Sequence, residues 1–258
     1  MPTGPVELNT ATFDAWIATS DTYVSEIEGQ RFISLDAGVY TVTETLNVPS
    51  NTTIKGKGKQ VTKLVVSPDQ DITVFNCTGE NITIESLSIQ RTKSYVDPPT
   101  PFNIDNRNPG DDPIPMIDLV DTSHSLIRDV YVWNASDALD DPRGISGIRI
   151  KGSQSRYNVL SHTQARWCQI GVEISEEATS NLVLGGAIIH CMVGLKVTNA
   201  SSNLIHGLGI EDGFSYNSET DVYDQDLINS LIANWRTETG EQIADDLPIL
   251  DPRNWTTH

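Results

Sequence analysis

The chain has 258 residues, enough for one large domain or two small ones, and is 38% hydrophobic but only 7% aromatic. Its 35 acidic side chains outnumber 17 basic ones, and the formal charge of −18 excludes nucleic acid and anionic membrane surfaces as expected partners. No stretch approaches the roughly 18 apolar residues of a membrane span, so membrane insertion is not expected either.

In chain order, the start MPTGPVELNTATFDAW lacks a basic patch followed by an apolar run, so no export signal is expected and synthesis is assigned to the cytoplasm. Within an N-terminal arm, residues 1–29, the stretch LNTATFDAWIATS places Phe13, Trp16 and Ile17 at i, i+3 and i+4 behind polar capping residues. That spacing predicts a short amphipathic helix closing one end of the fold.

From residue 30 to 213 the chain repeats itself. Gly171-Val-Glu-Ile174 returns as Gly194-Leu-Lys-Val197 after 23 residues, and Ser180-Asn-Leu-Val183 as Ser202-Asn-Leu-Ile205 after 22. A β-branched anchor follows a small polar turn at Ile54, Ile84, Ile127, Val159, Val183 and Ile205. Ahead of each turn stands an apolar alternation: Leu46/Val48, Ile72/Val74, Ile117/Leu119, Ile148/Ile150, Val172/Ile174 and Leu195/Val197. A third follows at Leu87/Ile89, Val130/Val132, Gly186/Ile188 and Leu208/Ile210.

Alternation at period two turns one side of each triplet inward. Such repeats are too short for βαβ crossovers, and they lack the Asn-Gly or Asp-Gly turns of hairpins. What remains is a coil in which each strand pairs with its counterpart one repeat later, about 4.8 Å above. The expected fold is all-β, a parallel β-helix of about six or seven rungs. Cys168 and Cys191 head CQIGVEI and CMVGLKV and should stack as a buried, reduced pair; with Cys77 they form neither a disulfide framework nor a zinc pattern. Six Asn-x-Ser/Thr triplets, at Asn51, Asn76, Asn81, Asn134, Asn199 and Asn254, read as turn chemistry. Beyond the coil, residues 214–258 carry Leu227, Leu231 and Trp235 at helical spacing and are expected to cap the last rung or dock on a neighbouring subunit.

The segment GQRFISLDAGVYTVTETLNVPSNTTIKGKG, ending in Gly56 and Gly58, resembles the first rungs of pectin-lyase-like right-handed parallel β-helices. The resemblance implies the architecture of residues 30–213 and its right hand. It leaves the activity open, because that superfamily includes pectate lyases, glycoside hydrolases, epimerases and the trimeric spikes of tailed viruses. Polygalacturonase motifs are met only by Asp140-Asp141 and by Arg149-Ile-Lys151, nine residues apart and so within less than one rung. The second also belongs to the repeating triplet, so the match is set aside.

Two insertions, 91–115 and 133–146, follow the third strand of consecutive rungs and should therefore lie side by side on one flank. They bring together Asp97, Asp105, Asp111, Asp112, Asp137, Asp140 and Asp141 with Arg91, Arg107 and Arg143. Asp111, Asp112, Asp140 and Asp141 are the catalytic candidates, since paired carboxylates can serve glycoside hydrolysis as acid and base or nucleophile. Trp133, Asp137, Arg143 and Trp167 are the substrate-binding candidates, the aromatic faces suiting sugar rings. The same loops could instead pack between subunits, or hold a glycan without turning it over. His162, His190 and His206 have no acidic partner at fixed spacing and read as turn or edge residues. No cofactor or metal is expected.

Two functions follow as expectations. The first is a structural or adhesive protein on the surface of a virus particle (a capsid decoration, head fibre or short spike), with a homotrimer implied by the resemblance, other virion proteins as neighbours and a surface polysaccharide as ligand. The alternative is a polysaccharide-degrading enzyme, a glycoside hydrolase or lyase, working outside the cell through the acidic loops.

Overall fold

The computed structural model describes residues 6–20, 29–66, 70, 72–91, 113–134, 145–166, 168–189, 191, 193–211, 216–217 and 222–223. An arm strand β1 (Val6–Leu8) and helix α1 (Thr10–Ser20) precede the coil. The first rung is β2 (Arg31–Ser34), β3 (Gly38–Val42) and β4 (Leu46–Val48); the second is β5 (Thr52–Lys55), β6 (Thr62–Val66) and β7 (Phe75–Glu80). In the next two rungs one long strand covers two faces: β8 (Thr83–Arg91) precedes β9 (Ile114–Ser123), and β10 (Leu126–Asn134) precedes β11 (Ile145–Lys151). Then come β12 (Val159–Ser161), β13 (Gln164–Arg166) and β14 (Ile170–Ser175), followed by β15 (Leu182–Leu184), β16 (Ala187–Ile189) and β17 (Val193–Thr198). A seventh rung contributes β18 (Leu204–His206) and β19 (Gly209–Glu211), and β20 (Tyr216–Asn217) pairs antiparallel with β21 (Val222–Tyr223).

Each coil strand hydrogen-bonds in parallel to its counterpart one rung away. The first face is β2, β5, the leading halves of β8 and β10, then β12, β15 and β18. The second face is β1, β3, β6, the trailing halves of β8 and β10, then β13, β16 and β19. The third is a separate six-stranded sheet in the order β17-β14-β11-β9-β7-β4. The molecule is a right-handed parallel β-helix, the hand that parallel crossovers adopt.

Inside, like residues stack. On the first face Ile33, Ile54, Ile84, Ile127, Leu160, Val183 and Ile205 form one column. The expected anchor Val159 is corrected to Leu160: Ile127 pairs with the fully buried Leu160, whereas Val159 pairs with Leu126 and is only half-buried. A one-residue slip exchanges the faces of a strand, and the preference for a β-branched anchor had chosen the wrong neighbour. On the third face the second rung contributes Phe75 and Cys77, not Ile72 and Val74. Val74 lies just before the strand, and its N–H donates to the Met116 carbonyl at 3.0 Å, so Phe75 sets the phase of the pleat.

The corners explain the polar turns. Asn51, Asn81, His124, Tyr157, Ser180 and Ser202 have left-handed backbones, with φ between 54° and 58°, at equivalent places between the third and first faces. Non-glycine residues resist that region, but the N–H of five of the six donates to a carbonyl of the next rung, as from Asn51 to Glu80 and from Asn81 to Ser123. Just inside, a buried ladder climbs the bend. Asn158 Oδ1 accepts the Ser125 N–H at 3.0 Å, Asn181 Oδ1 accepts the Asn158 N–H at 3.1 Å, and Asn203 Oδ1 accepts the Asn181 N–H at 2.9 Å. Each of the three Nδ2 groups donates to a carbonyl in the bend of the preceding rung: Asn158 to Thr122, Asn181 to Ser155 and Asn203 to Ala178. Sequence separations of 33, 23 and 22 residues along this ladder give the true rung lengths.

The repeated glycine has a packing cause. A Cβ at Gly171 would collide with Ile188 Cγ2 and come within 2.7 Å of the Gly194 carbonyl oxygen, and one at Gly194 would lie 2.7 Å from Ile210 Cγ2. Inward residues of the second face already fill the bend.

The first rung is closed as expected. Asn9 caps α1 reciprocally, its Oδ1 accepting from the Thr12 N–H at 3.0 Å while its own N–H donates to Thr12 Oγ1 at 2.9 Å. Phe13 is buried in the core; the side chains of Trp16 and Ile17, and Leu227, Leu231 and Trp235, lie outside the described residues.

Asn181→Ala should destabilise the fold by about 2–4 kcal/mol, because buried partners in two adjacent rungs lose their hydrogen bonds. Asn47→Ala, which removes only an exposed amide contact with Asn76, should cost less than about 1 kcal/mol. Urea unfolding midpoints of the two variants give the comparison.

Candidate functional site

The two insertions leave the coil at one ridge. Arg91 and Asn134, the last residues of β8 and β10, pair with each other, and Ile114 and Ile145, the first residues of β9 and β11, do the same. The loop roots are therefore neighbours on consecutive rungs. Asp111, Asp112, Asp137, Asp140, Asp141, Arg143 and Trp167, with Asp97, Asp105 and Arg107, lie outside the described residues. Trp133 is placed, but not in a loop: it is the penultimate residue of β10 and belongs to the second face.

In a strand with buried Val130 and Val132, residues 131 and 133 turn outward. Tyr131 stands between Ser88 and Gln164, and Trp133 between Gln90 and Arg166, on the adjoining rungs. The two rings are nearly parallel, 10° apart with centroids at 6.2 Å. Gln90 Nε2 donates to Ser88 Oγ at 3.4 Å, and Val65 and Ile189 continue the Trp133 column at either end. The Trp133 indole N–H is sheltered from solvent and has no hydrogen-bond acceptor among the described residues. The second face thus offers a half-buried aromatic pair edged by two amides and a guanidinium, at the foot of both acidic insertions. Flat apolar rings with hydrogen-bonding groups around their rim match a sugar ring, which has an apolar face and a polar edge.

Sequence reading singled out Trp133 but not its neighbours on this face, Tyr131, Gln90, Gln164 and Arg166. The alternation in LIRDVYVWN contained the signal for Tyr131. The other three come from rungs 43 and about 33 residues away and needed the true register.

The buried acidic residues described elsewhere, Glu85, Asp118 and Glu173, are committed to neighbours. On the outward side of the third face Asn47, Asn76, Asp118, Arg149, Glu173 and Lys196 form one column. Arg149 donates to Asp118 in a fork, Nε to Oδ1 at 3.0 Å and Nη2 to Oδ2 at 2.8 Å, and Lys196 Nζ lies 2.9 Å from Glu173 Oε1. Asp118, Arg149 and Glu173 are all buried, so this ladder holds rungs together and leaves no carboxylate open to a polymer. Arg149-Ile-Lys151 is thereby accounted for, as expected, by the repeat. On the first face the buried Glu85 lies between Lys55, at 2.8 Å, and Arg128. Burial by itself would raise the Glu85 pKa, but the hydrogen bonds from Lys55 and Arg128 outweigh it and hold the group below its usual 4.5.

Cys168 and Cys191 are buried free thiols, as the register implied. A hydrogen bond with Cys191 and burial push Cys168 well above the ordinary thiol range, so Cys168 is not arranged as a nucleophile. His162 is exposed and its Nδ1 lies 2.9 Å from Ser161 Oγ; His206 is exposed on the first face. Among the described residues no three His, Cys, Asp or Glu side chains converge as metal ligands.

No family model and no curated protein sequence matches the chain. Solved structures with some similarity include the catalytic domain of a GH87 alpha-1,3-glucanase in complex with nigerose, at 19% identity and a TM-score of 0.48, over 81% of this chain and 39% of that one. The same domain with tetrasaccharides gives 16% identity and a TM-score of 0.46, over 81% and 40%. A pectin methylesterase in complex with hexasaccharide VII gives 12% identity and a TM-score of 0.36, over 82% of each chain. This chain spans about two fifths of the glucanase domain. Its class, a parallel β-helix protein, rests on its own strand pairing.

Because the Glu85 pKa is depressed on folding, its stabilising contribution is complete above the unfolded carboxylate value and disappears as pH falls through the folded one. Glu85→Gln should therefore lower the urea midpoint at pH 7, and the gap from the parent should narrow as pH falls through the carboxylate range and close only below the depressed folded value. Unfolding midpoints from neutral to strongly acidic pH test this.

Proposed function

We propose that this β-helix is a polysaccharide-directed protein that seats a neutral or amino-sugar glycan against the second face, over Tyr131 and Trp133. The observation carrying this reading is the near-parallel Tyr131–Trp133 pair, edged by Gln90 and Gln164, at the common root of the two insertions. The strong negative charge disfavours polyuronates. Successive rungs, ~4.8 Å apart, present equivalent outward positions and suit a linear polymer lying along the coil.

Two versions share this surface. In the enzymatic one, favoured here, carboxylates from Asp111, Asp112, Asp140 and Asp141 act on the seated chain as acid and base or nucleophile, with Asp137, Arg143 and Trp167 contributing to binding. In the adhesive one the protein belongs to a particle surface beside other virion proteins and holds a surface polysaccharide without cleaving it.

Affinity electrophoresis and reducing-end release on a panel of soluble glycans test both. Trp133→Ala should weaken binding about tenfold, or roughly 1.4 kcal/mol. Asp111→Asn, Asp140→Asn and Asp141→Asn together should abolish cleavage and spare binding. Binding without cleavage in the parent protein favours the adhesive version. Retention of no neutral or amino-sugar polymer on the panel would overturn the proposal.

A further inference from the structure

The outward side of the first face changes character along the coil. One outward column runs Phe32, Thr53, Thr83, Leu126, Val159, Leu182 and Leu204, in register. Its last four members are aliphatic, although the inward column beside it already supplies the core. Leu126, Val159 and Leu182 are half-buried, and Leu204 is 60% exposed. Leu184 lies in the next outward column, after Arg128 and Ser161 and before His206. At the adjoining corner Tyr157, 54% exposed, packs on His124 with ring centroids 5.3 Å apart. The result is an apolar stripe parallel to the coil axis, four rungs tall, or about 14 Å at ~4.8 Å per rung.

The stripe is also free of acid. From β10 onward the outward positions of the first face are Leu126, Arg128, Val159, Ser161, Leu182, Leu184, Leu204 and His206, with no Asp or Glu among them. In a chain with 35 acids against 17 bases, copies approaching at random repel each other. An acid-free aliphatic stripe is where that repulsion is least and where apolar burial has most to gain.

We propose that this stripe is a self-association surface, and that its occupant is the same stripe of a second copy of this chain. A straight column pairs with itself lengthwise, aliphatic row against aliphatic row, with Arg128 and His206 at the margin instead of carboxylates. The stripe, about 14 Å tall at ~4.8 Å per rung, is smaller than a standard-size interface, so association is weak and concentration-dependent. This inference does not depend on the glycan reading, and a stripe paired with itself makes a dimer, not the homotrimer expected from the sequence.

Sedimentation velocity of the full chain, from low to high micromolar concentration, reads it directly. The parent should show a reversible shift to larger species. Leu182→Glu and Leu204→Glu should each weaken that association by about tenfold or more, since each places an unpaired charge in the contact. Leu182→Thr, which restores the residue type found at Thr53 and Thr83, should weaken it while leaving the far-UV spectrum and melting midpoint unchanged, and so separates lost association from lost folding. A parent that stays monomeric throughout overturns the proposal, as does association indifferent to all three substitutions. A monomeric parent whose Leu182→Thr variant loses binding to lipid vesicles or to a glycan would assign the stripe to that other partner, and would likewise overturn it.

Discussion

Every strand of the coil depends on the rung above and the rung below for its backbone hydrogen bonds. Because these bonds connect residues one turn apart, all turns must bend at the same places. The left-handed corner residues and the Asn158–Asn181–Asn203 ladder are consequences of that demand. A buried bend leaves N–H and C=O groups unable to reach the next strand, and a primary amide in each of the last three rungs meets one of each.

Stacking treats different side chains differently. Aliphatic residues gain from lying on their own kind, so the inward columns repeat Ile, Leu and Val. Amides can stack too, because each offers both a donor and an acceptor. Like charges cannot, and the outward column of the third face therefore alternates Asp118, Arg149, Glu173 and Lys196. Its sequence neighbours look conserved in kind from rung to rung, which is why Arg149-Ile-Lys151 resembles a catalytic motif without being open to substrate.

With the interior committed, the outward faces are where this chain can differ from any other coil. The second face carries the aromatic pair and the roots of both long insertions, and the first carries an acid-free aliphatic stripe. The two lie on different sides of the coil, so a glycan on one and a second copy on the other do not compete for space.

The repeat, the parallel coil, the capping helix and the Cys168–Cys191 stack were legible in the sequence, because period-two alternation and a period near 22 residues are local properties of the chain. Register was not. Val159 and Leu160 are adjacent aliphatic residues of similar size, and only pairing with Ile127 decides which points inward; the same holds for Val74 and Phe75. The candidate face depends on that register more than on any motif: Trp133 could be singled out by type, whereas Gln90, Gln164 and Arg166 join it only when rungs dozens of residues apart become neighbours. Composition and alternation thus determine that the chain coils, since each strand must bury one side, while the stacking of whole turns decides which outward residues share a surface.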